Sequence, residues 1–316
     1  MFEEAKEIKG VSVEDKVKEI YGSLLNPRRP VRTIDEAVKV LRDEFKLVVN
    51  PQLIAIVYSA FMCGKPVLFE GPPGTGKTEI GYALLTLWAG KNAFILPCSE
   101  NYDEYRVIGD FHPLMALKYG FVDESFIPRP LLAAMILDTG VLVDEIRRSS
   151  EEFQNILLDI IDKRRIVVPE LKRVFKAKGE GFQIIFTSNP EDIAQGELSD
   201  AFLRRVVRVK FTYPPRSVER EIVVLRLEKD AKMMPGKLLE TMLDIATKLR
   251  EVATHKPGPS DLVSWAQISV SLAKIRGKDV VTEKELFDAA VQTLCKREED
   301  YEVIERIIRD HIGDLK

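Results

Sequence analysis

The sequence has few of the residues that build metal sites or disulfide frameworks. Among its 316 residues are three cysteines and three histidines. Cys63, Cys98 and Cys295 lie far apart, without a Cys-x-x-Cys pair. An odd number of scattered cysteines is typical of structural thiols in a reducing compartment. We therefore expect a cytoplasmic protein without a cysteine-based metal site, and surface or locally hydrogen-bonded roles for the histidines.

Long hydrophobic segments are also missing. No run reaches the roughly 18 consecutive apolar residues that a membrane-spanning helix requires, so we expect no membrane span. The N-terminal sequence MFEEAKEIKG is acidic and has no apolar core. This pattern predicts that the chain carries no secretory signal.

A strong excess of one charge is absent as well. The chain has 47 basic and 50 acidic residues, which gives a formal net charge of -3. This balance argues against a protein that coats nucleic acid or an anionic membrane over its whole surface. The net charge averages over all faces, so it does not exclude a local basic channel.

Short apolar runs between helical patterns predict an α/β core. Each run is rich in β-branched or large apolar residues, and the runs cover 66–70, 93–96, 140–143 and 183–187. Continuous apolar runs of this length suit strands that are buried on both faces. Their alternation with helices predicts a parallel sheet flanked by helices.

Helical patterns occupy the two ends of the chain. Residues 1–45 predict two helices joined by a proline-containing link, and the strands stop after Pro214-Pro215. Beyond that point apolar residues recur at three- and four-residue spacing, which predicts helices only. We therefore expect three parts, namely an N-terminal helical extension (1–45), an α/β core (46–215) and a smaller all-α domain (216–316).

The first apolar run is followed at once by a phosphate-loop motif. The pattern G-x-x-x-x-G-K-[ST] is formed by Gly71, Pro72, Pro73, Gly74, Thr75, Gly76, Lys77 and Thr78. Glycines let the backbone N–H groups of such a loop converge on phosphate oxygens. Lys77 is expected to neutralise the β- and γ-phosphates, and Thr78 to place its hydroxyl on Mg²⁺. The motif lies between a predicted strand and a predicted helix, as this chemistry requires, and predicts a nucleotide site.

Two later strand ends supply candidate groups for hydrolysis. Asp144 and Glu145 follow the apolar run 140–143. Asp144 is placed to hold Mg²⁺, and Glu145 to act as the general base that activates water. Asn189 follows the run 183–187 and is expected to orient that water or to contact the γ-phosphate, although a turn-forming Asn-Pro pair also explains it.

The order of these motifs resembles that of AAA+ ATPases, and this resemblance implies the P-loop NTPase fold with a helical lid domain. Within this family, the segment 144–148 and the Asn189-Pro190 pair look like the MoxR branch, although Arg147 stands where that branch usually has Asn. The segments 151–153 and 168–171 also look like the subgroup encoded beside carbon monoxide dehydrogenase. The resemblance implies ATP rather than GTP as the nucleotide. It also implies a maturation ATPase that works with a von Willebrand A-domain partner.

The resemblance further implies an arginine finger, which stabilises charge on the γ-phosphate of a neighbouring subunit. Arg205 aligns with the family's finger, Arg204 is the second candidate, and Arg148 is a further candidate at the subunit interface. A finger that acts on a neighbour implies a homo-oligomeric ring, expected to be a hexamer. The family's lid arginine is missing, because Leu262 occupies its position.

An insertion between Tyr102 and Pro130 carries further aromatic residues. In AAA+ rings the loops at this place can face the central pore. Tyr119 and Phe121 alternate as they would on a hairpin, so a pore role is one interpretation. Core packing is the favoured interpretation of each residue taken alone.

Three functions fit these observations. The leading hypothesis is an ATPase that uses Mg²⁺–ATP to remodel a client protein or to insert its metal or cofactor. The second is a nucleic-acid motor or loader, although no zinc-finger or helix-turn-helix pattern is evident. The third is a nucleotide-gated binding switch with little turnover. The missing lid arginine favours keeping this hypothesis beside the first.

Overall fold

The computed structural model describes residues 10–99, 104–190 and 196–312. The predicted absence of a secretory signal rests partly on residues 1–9, which lie outside the described residues. Within them, no helix is long and apolar enough to cross a membrane.

The described residues form fourteen α-helices and nine strands. The helices are α1 (Val13–Tyr21), α2 (Ile34–Asp43), α3 (Pro51–Met62), α4 (Lys77–Ala89), α5 (Glu104–Val107), α6 (Pro113–Tyr119), α7 (Pro130–Leu137), α8 (Glu151–Lys163), α9 (Asp200–Leu203), α10 (Arg216–Leu227), α11 (Gly236–Val252), α12 (Pro259–Ile275), α13 (Glu283–Leu294) and α14 (Tyr301–Ile312). The strands are β1 (Val67–Glu70), β2 (Phe94–Pro97), β3 (Gly109–Phe111), β4 (Phe126–Pro128), β5 (Val141–Asp144), β6 (Arg165–Val168), β7 (Arg173–Lys176), β8 (Ile184–Ser188) and β9 (Val207–Lys210).

A five-stranded parallel sheet forms the centre of the first unit, with the order β2-β5-β8-β1-β9. Four of these strands correspond to the four predicted apolar runs. The fifth, β9, was not predicted, because its residues alternate between half-buried and exposed positions. A strand at the edge of a sheet needs no continuous apolar run, so it lacks the signal that the buried strands carry.

The strand order brings three carboxyl ends together. Glu70 at the end of β1 pairs with Ser188 at the end of β8. Val143 of β5 pairs with Phe186 of β8, so Asp144 follows at the same edge. Ligands of open parallel sheets bind outside the carboxyl ends of the strands. The topology therefore places the phosphate loop, the two acids and Asn189 along one edge.

The chain divides into two compact units. The first contains the described part of Met1–Val40 together with Val49–Gly71 and Lys77–Lys210, and the second contains Leu41–Val48, Pro72–Gly76 and Phe211–Lys316. In the first unit, Val13 and Val17 of α1 are fully buried in the same apolar cluster as the sheet. The first predicted N-terminal helix is therefore present and belongs to this unit's core.

The insertion in the first unit contains β3, α6 and β4. Strands β3 and β4 pair in antiparallel fashion, and α6 lies between them in the sequence. Tyr119 ends α6 and is half-buried, whereas the Phe121 side chain is 60% exposed. The Phe121 ring contacts Phe111 edge to face, with ring centroids 4.9 Å apart. The two aromatic residues do not alternate along a strand as predicted, and Phe121 is not a core residue.

The second unit is helical around a core centred on Trp265. This side chain is fully buried, and its Nε1 donates to the Leu286 carbonyl at 2.8 Å. Thr282 and Glu285 form a capping box at the start of α13. Burial by itself raises the pKa of the Glu285 carboxyl, but hydrogen bonds from Thr282, Lys278 and Arg276 outweigh it and hold the pKa well below its usual range.

The Glu285→Gln variant is expected to lower the free energy of unfolding by about 1–3 kcal/mol at neutral pH, because hydrogen bonds to a charged acceptor are lost. A depressed folded-state pKa means that the charged carboxylate stabilises the fold above the unfolded pKa of about 4.3. This contribution is lost progressively as the pH falls from that value through the much lower folded-state pKa.

Urea unfolding at pH 7 and at pH 3, which lies between the unfolded and the depressed folded pKa, measures the effect. The exposed Glu283 of the same helix provides the control variant Glu283→Gln. A loss for Glu285→Gln that is equal at both pH values would contradict this account.

Candidate nucleotide-binding site

The phosphate-loop motif lies between β1 and α4, and its backbone has the conformation that its glycines allow. Gly74 and Gly76 have φ angles of 71° and 85°. This left-handed region is strained for residues with a Cβ atom. Lys77 begins α4 with a buried side chain, and its Nζ donates to the Gly71 carbonyl at 2.8 Å. The lysine is therefore held against its own loop, where the motif predicts phosphate binding.

The predicted magnesium ligands lie within hydrogen-bond distance of each other. The Thr78 hydroxyl donates to Asp144 Oδ1 at 2.8 Å. The same carboxylate oxygen accepts a hydrogen bond from the Thr187 hydroxyl at 2.5 Å. Mg²⁺ in phosphate sites is held by one or two protein oxygens together with substrate phosphates and water. Thr78 and Asp144 fit this donor set, and the structure brings them together from α4 and β5.

Glu145 follows Asp144 in an uncommon backbone conformation. Its φ angle of 55° is left-handed, which few residues other than glycine adopt. This turn breaks the strand alternation that would otherwise send two successive side chains to opposite faces. The Glu145 N–H donates to the Thr187 hydroxyl at 2.9 Å, and its carboxylate forms an ion pair with Arg148 at 2.5 Å. The candidate base is thus held by β8 and by the turn that follows β5.

The other predicted site residues lie after β8 and α9. Asn189 follows the last residue of β8 and is half-buried. Arg205 lies just beyond α9, and its Nε donates to both carboxylate oxygens of Asp162 on α8 at 2.9 and 2.8 Å. Arg204 at the end of α9 is exposed. The contacts of Arg205 therefore lie on the α8–α9 surface of its own chain.

Several polar residues near the site were missed by the sequence analysis. Thr187 links Asp144 to the backbone of Glu145, as described above. Arg147 donates to Ser188 and to the buried Glu70. No motif with a fixed spacing predicts these residues. The sequence marks Thr187 and Ser188 only as polar residues at the end of an apolar strand.

Cys98 lies beside the acids without a chemical role. Its backbone N–H donates to the Asp144 carbonyl at 2.9 Å, and its side chain is buried. Burial raises the pKa of the Cys98 thiol to about 12, and the nearby charges of Asp144 and Glu145 act in the same direction. A thiol that stays protonated is neither a nucleophile nor a metal ligand.

The described part of the chain contains no group of three or more His, Cys, Asp or Glu residues that could hold a metal ion. A magnesium ion would therefore rely on Thr78, Asp144 and the nucleotide. Leu262, where the resemblance to AAA+ ATPases led us to expect an arginine, is fully buried in the apolar core of the second unit.

Comparison with known proteins identifies related sequences. A model of the AAA domain of the dynein-related subfamily matches residues 66–206. The chain is 28% identical over 173 residues to the uncharacterized protein YehL of Escherichia coli, covering 54% of this chain and 47% of YehL. It is 27% identical over 179 residues to the gas vesicle ATPase GvpN of Ancylobacter aquaticus, covering 52% of this chain and 50% of GvpN. The chain thus matches about half the length of each of these two relatives.

A solved structure shares the fold. A RuvB variant of Thermotoga maritima aligns with 84% of this chain and 76% of its own, with a TM-score of 0.50 and 14% sequence identity. Together with the parallel sheet and the helical C-terminal region, this likeness confirms the predicted P-loop fold class.

Proposed function

We propose that the chain binds Mg²⁺–ATP and hydrolyses it to ADP and phosphate. The match of residues 66–206 to a model of the AAA domain of the dynein-related subfamily supports this proposal. The observation that carries this proposal is the 2.8 Å hydrogen bond between the Thr78 hydroxyl and Asp144 Oδ1. A hydroxyl of the phosphate-loop motif and a carboxylate at the end of β5 would together hold Mg²⁺, which P-loop enzymes use to neutralise phosphate charge.

Each remaining group has a role in this proposal. The loop N–H groups from Gly71 to Gly76 and the Lys77 ammonium bind the phosphates. Glu145 accepts a proton from the attacking water, and Asn189 orients that water. Thr78 and Asp144 would hold Mg²⁺, which would supply neutralisation of phosphate charge. The hydrogen bonds of Thr187 to Asp144 and from the Glu145 N–H support the placement of both acids.

The proposed assembly is a ring, with a hexamer as the expected size. An arginine that acts on a neighbouring subunit must lie near the protein surface, and both candidates fulfil this condition. Arg204 is exposed, and about a third of the Arg205 side chain is exposed. We propose that Arg205 leaves Asp162 when a neighbouring ATP site forms, and that Arg204 is the alternative finger.

The proposed biological role is to remodel or mature a client protein. The resemblance to the MoxR branch favours a client that receives a metal or cofactor, together with a von Willebrand A-domain partner.

The third hypothesis, a binding switch with low turnover, is supported by the ion pair between Glu145 and Arg148, because this ion pair occupies the carboxylate of the candidate base. The three-part division of the chain at residues 45 and 215 also stays a proposal.

Phosphate release by the full chain with Mg²⁺–ATP tests the activity. We expect steady turnover that stops when the metal is chelated and is lost in the Lys77→Ala variant. Release at the same rate in that variant would place the activity elsewhere or in a contaminant. A wild-type chain that binds ATP without releasing phosphate would favour the switch.

The Asp144→Asn variant is expected to raise the Mg²⁺ concentration for half-maximal hydrolysis by about 10–100-fold, since changes close to a metal weaken its binding by such factors. A neutral amide oxygen is a poorer magnesium ligand than a carboxylate. A titration of phosphate release with Mg²⁺ measures the shift. The Asp35→Asn variant removes an exposed carboxylate of α2 in the same unit and should keep the wild-type half-point. An unchanged half-point in Asp144→Asn would remove this residue from the metal site.

A further inference from the structure

Arg147 joins three strand ends in the first unit. It lies in the short turn Ile146–Arg148 that follows β5, and its side chain is only 17% exposed. Its Nε donates to the Ser188 hydroxyl at the end of β8 at 2.7 Å. Its Nη2 donates to Glu70 Oε1 at the end of β1 at 3.4 Å. The side chain thus reaches two neighbouring strands from the turn that carries Glu145.

The contact with Glu70 involves a buried charge. Glu70 is 3% exposed and lies directly before the phosphate loop. A buried carboxylate needs a cation and hydrogen bonds to remain charged. Two arginines supply them, because Arg208 of β9 donates through Nε to Glu70 Oε2 at 2.7 Å. Both arginines therefore pair with Glu70, but they differ in the rest of their contacts.

Arg147 contacts Ser188 as well as Glu70. Ser188 is 1% exposed and immediately precedes Asn189, the residue proposed to orient water. The guanidinium is a rigid planar fork, so its donors hold their acceptors at fixed relative positions. Arg147 therefore sets the position of the Asn189 backbone relative to the start of the phosphate loop. A misplacement of about 1 Å between reacting groups can cost about 10²-fold in rate.

We propose that Arg147 is a positioning residue for hydrolysis, which aligns the Asn189 strand end with the phosphate loop through Ser188 and Glu70. This inference rests on the proposed ATPase function. It predicts a loss in the catalytic rate rather than in ATP binding, because the contacts of Arg147 with Ser188 and Glu70 lie at strand ends and the proposed phosphate-binding groups are the loop N–H groups and Lys77.

Two matched variants separate positioning from charge neutralisation. Arg147→Met and Arg208→Met each remove one cation from Glu70, but only the first also removes the donor to Ser188. Arg147→Met is expected to lower kcat by about 10–100-fold and to leave the Kd for ATP, measured without hydrolysis, unchanged. Arg208→Met is expected to keep kcat near the wild-type value. Equal losses in both variants would overturn the proposal, because neutralising Glu70 would then explain the effect.

A double-mutant cycle gives a second readout. Ser188→Ala should lower kcat in the wild-type background and have little further effect in Arg147→Met, because the shared contact is already gone. Independent, multiplicative effects would overturn the proposal. If Arg147→Met fails to fold, Ser188→Ala alone decides, and an unchanged kcat in that variant overturns the inference. A wild-type chain that does not hydrolyse ATP would refute the proposed function itself. A wild-type chain that hydrolyses ATP, with an unchanged kcat in Arg147→Met and Ser188→Ala, would refute only the role of Arg147.

Discussion

Replacement of Glu145 by Gln is expected to lower ATP hydrolysis by about 10²–10⁴-fold, the contribution typical of a general base. The amide has nearly the same size as the carboxylate, but it cannot accept a proton from water. ATP binding should persist, because Lys77 and the loop backbone are untouched. Single-turnover phosphate release and equilibrium binding of a fluorescent ATP analogue measure the two effects separately.

The control for this variant is Glu152→Gln. Glu152 is exposed in the first turn of α8 and also loses one negative charge. It should hydrolyse ATP at the wild-type rate. Wild-type turnover in Glu145→Gln would contradict the proposed mechanism, because no other group has been assigned to activate the water.

Replacement of Arg205 by Ala is expected to lower kcat by about 10³-fold or more, as the loss of an arginine finger does in related phosphoryl-transfer enzymes. The guanidinium stabilises negative charge that develops on the γ-phosphate, so its loss affects the transition state more than ATP binding. Steady-state hydrolysis at a chain concentration that supports assembly measures the loss. Arg204→Ala is the matched control from the adjacent position, and a larger loss in that variant would make Arg204 the finger.

A mixing experiment decides whether Arg205 acts on a neighbour. Glu145→Gln chains keep the finger, and Arg205→Ala chains keep the base. In a mixed ring, some sites combine an intact Glu145 with an intact Arg205 from the adjacent subunit. Mixing two inactive variants should therefore restore part of the activity. No restoration, in samples shown to co-assemble, would mean that Arg205 acts within its own chain.

Local sequence patterns predicted the parts of the site that are contiguous in the chain. The phosphate loop, its preceding strand and its following helix form one short segment, so their placement needs no long-range information. The buried strands were visible because a strand covered on both faces requires an uninterrupted apolar run. The half-buried edge strand β9 alternates instead, and it was missed for that reason.

Contacts between distant segments could not be predicted in the same way. Thr187 reaches Asp144, and Arg147 reaches Glu70, only because the order of the strands places their ends side by side. Motif spacing does not encode that order. The left-handed backbone of Glu145 was likewise invisible, since glutamate has no preference for this conformation. The sequence therefore suggests the chemical groups, which stay a prediction, and the structure adds the residues that contact them.

The most direct test of the account is the rate of phosphate release per chain as a function of chain concentration, with saturating Mg²⁺–ATP. The account predicts that this specific rate rises with concentration as rings assemble and Arg205 enters neighbouring sites, and that it then reaches a plateau. The Arg205→Ala variant should stay low throughout. A specific rate that is independent of concentration would contradict the shared active site, and the absence of phosphate release at every concentration would contradict the ATPase itself.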